Sequence, residues 1–187
     1  DGFRTRTITG GFNSVTTFIN GDSAQVYGVE ISGQQNFTFL PGVLGGLFAS
    51  GNITLSDSKA TDAQIGREFT LPDQSNVTYN ISAGWENDSL SVRWSGNFTG
   101  ERLIAINAGF LGLEDARSDL LERSRFSMDV NVRFDLNDMI QVYFDALNIN
   151  DAEDRNFFRG DPETLGGIFN LIENYGATYQ AGVRLRF

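Results

Sequence analysis

Arg155, Phe157, Phe158 and Arg159 lie within five positions and carry the chain's clearest chemistry for holding a ligand. A guanidinium grips carboxylate or phosphate through two parallel hydrogen bonds, and adjacent rings can stack on a sugar or a flat chelate. The plainer alternative is that Phe157 and Phe158 pack their loop while the arginines are solvated. The acidic neighbours Asp151, Glu153, Asp154 and Asp161 weigh against an anionic ligand. A second acidic group gathers at Glu114, Asp115, Asp119 and Glu122. Calcium takes several such oxygens, but no EF-hand-like spacing is present, so neither a metal nor a cofactor is expected. Two carboxylates could in principle run glycoside hydrolysis, yet nothing fixes a pair at a working separation. The chain has no His and no Cys. That removes the usual general base, the thiolate metal sites and every Ser-His or Cys-His relay. An enzyme is therefore not expected. A formal charge of −10 argues against nucleic acid, or an anionic surface, as a partner.

Loop chemistry of this kind needs a scaffold, and the scaffold signal is alternation of period two. Tyr175, Ala177, Tyr179, Ala181, Val183, Leu185 and Phe187 fall on one face, and Gly176, Thr178, Gln180, Gly182, Arg184 and Arg186 on the other. The same division recurs over Val77–Glu86, Leu90–Thr99 and Phe126–Asp135, and less cleanly over Tyr27–Ser32 and Leu47–Leu55; Ile140, Val142, Phe144 and Ala146 complete the series. About seven strands follow, with an eighth between Phe3 and Ile19. The 16 Phe, 21 Gly and only 3 Pro suit strands and tight turns.

A soluble sandwich also alternates, so further features decide. Connectors alternate in length: Thr38–Leu44, Asn87–Ser89 and Leu136–Met139 are short, whereas Ser56–Gln74, Gly100–Ser124 and Asn148–Asn174 are long. Outer-membrane barrels pair short periplasmic turns with long extracellular loops in this way. Aromatic residues stand near the ends of the apolar stripes, at Trp85, Phe98, Phe126, Phe134, Tyr175 and Phe187, as in an interfacial girdle. The polar faces carry Glu30, Arg93, Asp129, Arg133, Arg184 and Arg186, which suit a wet lumen. No run of about 18 apolar residues exists for a membrane helix, and a barrel is the other way across. The expected lipid-facing residues are Val77, Tyr79, Ile81, Leu90, Val92, Trp94, Val130 and Val132. Leu113, Arg117, Leu120 and Leu121 have helical spacing, which predicts a short amphipathic turn over the barrel mouth.

Several strings resemble the C-terminal part of the TonB-dependent receptors, the plugged transport barrels of Gram-negative outer membranes. Ala24-Gln25-Val26-Tyr27-Gly28-Val29-Glu30 resembles one barrel strand of that family, and Leu71-Pro72-Asp73-Gln74-Ser75 with Thr78 and Asn80 the entry to another. Leu147-Asn148-Ile149-Asn150-Asp151 is similar to its asparagine-rich strand end, and Phe187 to its terminal aromatic residue. The resemblance implies an all-β fold of antiparallel transmembrane β-barrel strands. Residues 1–187 would supply about 7–8 of the roughly 22 strands of such a barrel, as its C-terminal segment, with the plug domain absent from this chain. It implies uptake of a scarce nutrient (iron-siderophore, vitamin or carbohydrate), powered through a TonB-type energy-coupling protein acting on the missing plug. It also implies that Val183, Leu185 and Phe187 form a signal for the barrel-assembly machinery. The chain opens at Asp1 without a leader, as a processed product or a fragment would. Two rival expectations remain open: a self-contained small barrel of about eight strands with an adhesive or structural role, and a soluble β-sandwich binding module.

Overall fold

The computed structural model describes residues 3–10, 13–20, 22–62, 65–106, 115–160 and 167–186. Its main strands are β3 (Ser23–Asn36), β4 (Leu47–Asp62), β6 (Val77–Glu86), β7 (Leu90–Thr99), β10 (Arg125–Asn137), β11 (Ile140–Leu147) and β14 (Thr178–Leu185). They form one antiparallel sheet in the order β14-β11-β10-β7-β6-β4-β3, with the short β5 (Arg67–Phe69) added alongside β4. All seven strands expected from alternation are present. Among the described residues β3 and β14 do not pair, so the sheet is open. β6 and β7 are 10 residues each, the length that a tilted membrane strand of about 9–11 residues requires.

The register sorts side chains into rows that cross the sheet. Because Cα partners in an antiparallel ladder share a face, Ile31, Ile53, Tyr79, Phe98 and Phe126 form one row. Ala49, Ala83, Trp94, Val130, Ala146 and Tyr179 form another, and Leu47, Trp85, Val92, Val132, Phe144 and Ala181 a third. The eight residues expected to meet lipid thus share one continuous apolar face. That face is open to the surroundings: Ile31, Ile81, Phe134, Val142 and Val183 are all exposed, as the inner face of a sandwich is not. Aromatic rings mark its two levels. Tyr79 stacks on Phe98 at 4.7 Å and approaches Phe126 at 6.2 Å toward the long connections. Trp85 lies toward the short turns, where its Nε1–H donates to the Val43 carbonyl at 2.5 Å.

The opposite face is polar. One row is Ser32, Asn52, Asn80, Asn97 and Ser127, and another is Phe48, Gly84, Arg93, Asn131, Asp145 and Gln180. Phe48, 6% exposed, lies in this second row under the Arg93 guanidinium, 5.1 Å from its ring centre. Gly84 makes room for it, since a Cβ there would meet the Phe48 ring at 2.5 Å.

Three expectations are corrected. The single strand expected between Phe3 and Ile19 is two strands, β1 (Phe3–Gly10) and β2 (Asn13–Asn20), paired antiparallel as a hairpin. The last strand begins at Thr178 rather than Tyr175, because Gly176 takes a positive φ of +70° that breaks the extended run. The amphipathic turn is not formed as expected: Asp115–Ser118 is a 3-10 turn and Leu120 and Leu121 belong to strand β9 (Leu120–Glu122), while Leu113 lies outside the described residues. Pairing of β9 with two neighbours, and burial of Leu121 to 5% exposure, override the helical spacing.

Candidate functional site

The long connections are not plain loops. β8 (Arg102–Ala105), β9, β12 (Asp154–Phe158) and β13 (Ile168–Glu173) form a second sheet in the order β13-β12-β9-β8. Leu103, Leu121 and Phe158 are its buried apolar residues, at 3%, 5% and 6% exposure. This small sheet caps the long-connection end of the main one.

Asparagines build the junction. Asn148 follows the last residue of β11 with a positive φ of 53°, a conformation that Asn tolerates better than most residues. Its backbone N–H donates to Asp129 Oδ1 at 2.8 Å, and its side-chain amide donates to the carbonyls of Ala152 and Gly176 and accepts from the Ala152 N–H. Asn150 continues the ladder beyond the end of β11: it accepts from the Met128 N–H at 2.8 Å and donates to the Phe126 carbonyl at 2.7 Å. Residue types alone give no reason to single these two out. The signal available in the sequence was only the family-like string.

The four residues of the expected ligand site occupy different environments. Arg155 donates from Nε and Nη2 to Glu153 Oε2, at 2.9 and 2.6 Å. This contact, with the Arg155 charge and a weaker hydrogen bond from Asn174, holds the Glu153 carboxyl below its ordinary range. Phe157 lies under the Arg123 guanidinium at 4.6 Å. Phe158 is buried. Arg159 reaches Asp119 instead, with Nε 3.7 Å from Oδ2. Arg155 alone of the four lines a cleft of about 460 Å³, together with Arg123, Arg125, Glu101, Asp151 and Glu153. Three guanidinium groups and three carboxylates therefore face one space. Asp161 of the acidic segment lies outside the described residues, as does Glu114 of the other.

On the polar face of the main sheet the charged groups are tied to neighbours. Arg133 grips Asp145 with two hydrogen bonds, at 2.7 and 3.1 Å, and lies over the Tyr143 ring. Asn131 donates to the same carboxylate at 2.7 Å. Toward the other edge the lining around Ser50 and Asn52 is neutral: Ser50 bonds Ser82, Asn80 donates to Asn52, and a shallow cavity of about 400 Å³ lies over these residues with Ser95 and Asn97. Such a surface can hydrogen-bond water or a passing solute. Among the described residues it holds no acid, base and nucleophile in a working arrangement.

An open antiparallel wall with one exposed apolar face, a hydrogen-bonded polar face, short turns at one end and a folded cap at the other defines a segment of transmembrane β-barrel. The model of the family described as TonB dependent receptor-like, beta-barrel matches residues 1–149, and the chain belongs to that family. No curated protein and no solved structure matches it. The family consists of outer-membrane transport proteins that take up nutrients, and its members are transporters rather than enzymes.

Proposed function

We propose that this chain is the C-terminal wall and outer cap of a receptor that takes up a scarce nutrient, an iron-siderophore, a vitamin or a carbohydrate. Energy enters through a TonB-type protein acting on a plug domain elsewhere in the receptor. The observation that carries this reading is the division of the main sheet into a continuous exposed apolar face and a continuous hydrogen-bonded polar face. Lipid meets Val77, Tyr79, Ile81, Leu90, Val92, Trp94, Val130 and Val132, and the polar face lines the lumen. The nutrient first meets the cap, where the cleft lined by Arg155 offers charged groups of both signs. Of the four residues singled out by type, Arg155 touches the ligand, a reading supported by its position on this cleft, and Phe157, Phe158 and Arg159 support the fold of the cap around it.

The exposed positions of Val183 and Leu185, at 61% and 56%, on the outward face of β14 support their reading, with Phe187, as the signal for barrel assembly. Phe187 itself lies outside the described residues.

The test is accumulation by cells carrying or lacking the full-length receptor, offered radioiron as a panel of siderophores, cobalamin and maltodextrins under limitation for each. The reading expects loss of at least one uptake activity on deletion, and the same loss in wild-type cells treated with a protonophore. Equal uptake with and without the receptor across the panel would refute it.

A further inference from the structure

The three long connections leave the main sheet at separate places, yet they meet at one carboxylate. Asp119 stands between the 3-10 turn and β9 and is 1% exposed. A carboxylate so buried needs compensating charge, and it draws that charge from both other connections. Arg67 of β5 donates from Nη2 to Asp119 Oδ1, and Arg159, just past β12, approaches Oδ2 at 3.7 Å. The backbone repeats the junction: the Arg159 N–H donates to the Asp119 carbonyl and the Gly160 N–H to the Arg117 carbonyl, both at 2.9 Å.

We infer that Asp119 is the positioning residue that fastens the three connections into one cap, so that the cap moves on the barrel rim as a single body. The uptake reading supplies the purpose of such a cap, while the pin itself stands on geometry. The second and third connections are joined independently by the β9–β12 ladder, in which Asn156, Phe157 and Phe158 face Glu122, Leu121 and Leu120. The first connection has less. Its later part is held by the Asp73 N–H donating to the Leu103 carbonyl at 2.7 Å and by one bridge between Ser75 and Arg102. Its tip, β5, pairs with three residues of β4 and meets the rest of the cap across a cavity of about 350 Å³ lined by Lys59, Arg67, Glu68, Phe69, Asp119 and Arg159, among others. Across that gap the carboxylate couples the tip of the first connection to the other two, through Arg67 on one side and its own connection and Arg159 on the other.

The experiment uses the full-length receptor in lipid, with any cysteine outside this cysteine-free chain removed. Spin labels at Glu68→Cys and Asn170→Cys read the distance from the first connection to the third. Labels at Glu101→Cys and Asn170→Cys read the ladder-joined part as a control. The proposal expects a single narrow distance for both pairs. Asp119→Ala should broaden the first pair and leave the control narrow, Asp119→Glu should restore the first pair, and Arg67→Ala should reproduce the broadening. The arginine variant keeps the test decisive if Asp119→Ala fails to assemble. Three results would overturn the proposal: a first pair that stays narrow without Arg67 or the carboxylate, broadening of both pairs together, or failure of Asp119→Glu to restore the distance. A receptor that shows the pinned cap but takes up none of the nutrient panel retains this inference and loses the transport reading. A transporting receptor with a narrow first pair in Arg67→Ala does the reverse.

Discussion

Arginine at Val130, compared with arginine at the next residue, separates the two faces of the wall. Val130 is the middle member of the outward stripe Phe126, Met128, Val130, Val132 and Phe134, and its partners across the ladders are Trp94 and Ala146. Reaching the end of the stripe from Val130 means passing four residues, roughly 13 Å at about 3.3 Å per residue. A guanidinium extended along the strand recovers only part of its hydration over that distance. The midplane penalty for arginine on a barrel's lipid face is about 2 to 4 kcal/mol. Asn131 points the other way, next to Arg93 in its row and bonded to Asp145. Arginine there keeps an acidic partner and gains two like-charged neighbours, Arg93 opposite and Arg133 two residues along on the same face, each at a cost of roughly 0.2 to 1 kcal/mol. The assay is urea unfolding of the full-length receptor in lipid vesicles, read by the shift of heat-modifiable protein on gels. Val130→Arg should lose about 2 kcal/mol more than Asn131→Arg. An equal or larger loss at Asn131 would mean that the faces are assigned backwards.

Arg155→Ala should weaken ligand binding by the full-length receptor by about 1.5 to 3 kcal/mol, the worth of a charged hydrogen bond, whereas Phe158→Leu should leave affinity unchanged; equilibrium titration with the transported nutrient checks both. Glu153→Gln releases the Arg155 guanidinium and should raise affinity for an anionic ferric chelate. Because the Glu153 carboxyl is depressed below its ordinary 4.5, the ion pair persists above that value and is lost as pH falls through the lowered range. Wild type should therefore approach the Gln variant only in that acid range, and convergence at neutral pH would refute the pairing. Gly84→Val should destabilise the wall by about 1 to 3 kcal/mol through overpacking, since a Cβ there meets the Val92 carbonyl at 2.3 Å and the Phe48 ring at 2.5 Å; an unchanged urea midpoint would refute this close approach of backbone and ring. Deleting Phe187 should lower the amount of receptor in purified outer membranes, and an unchanged amount would leave it only an interfacial anchor.

Strand existence and facing were legible from residue order, because the period of two is a local property of extended backbone and needs no knowledge of neighbours. Val130 and Asn131 declare their opposite faces by alternation alone, and the short and long connectors declare which strand ends lie together. The tertiary structure decided what alternation cannot reach. The helical spacing of Leu120 and Leu121 was real, but pairing with β8 and β12 made them a strand, since backbone partners from distant segments outweigh a local preference. Arg155, Phe157, Phe158 and Arg159 looked like one site because they are close in sequence. Alternation turns Phe158 away from Phe157, a register shift between Asn156 and Phe157 breaks the alignment with Arg155, and Arg159 lies past the strand's end, so the four disperse to Glu153, Arg123, the interior of the cap and Asp119. Asp119 looked like one member of an acidic group. Its burial depends on arginines 52 positions before it and 40 after it in the chain, and partners that far away are set by the path of the whole sheet rather than by any local pattern.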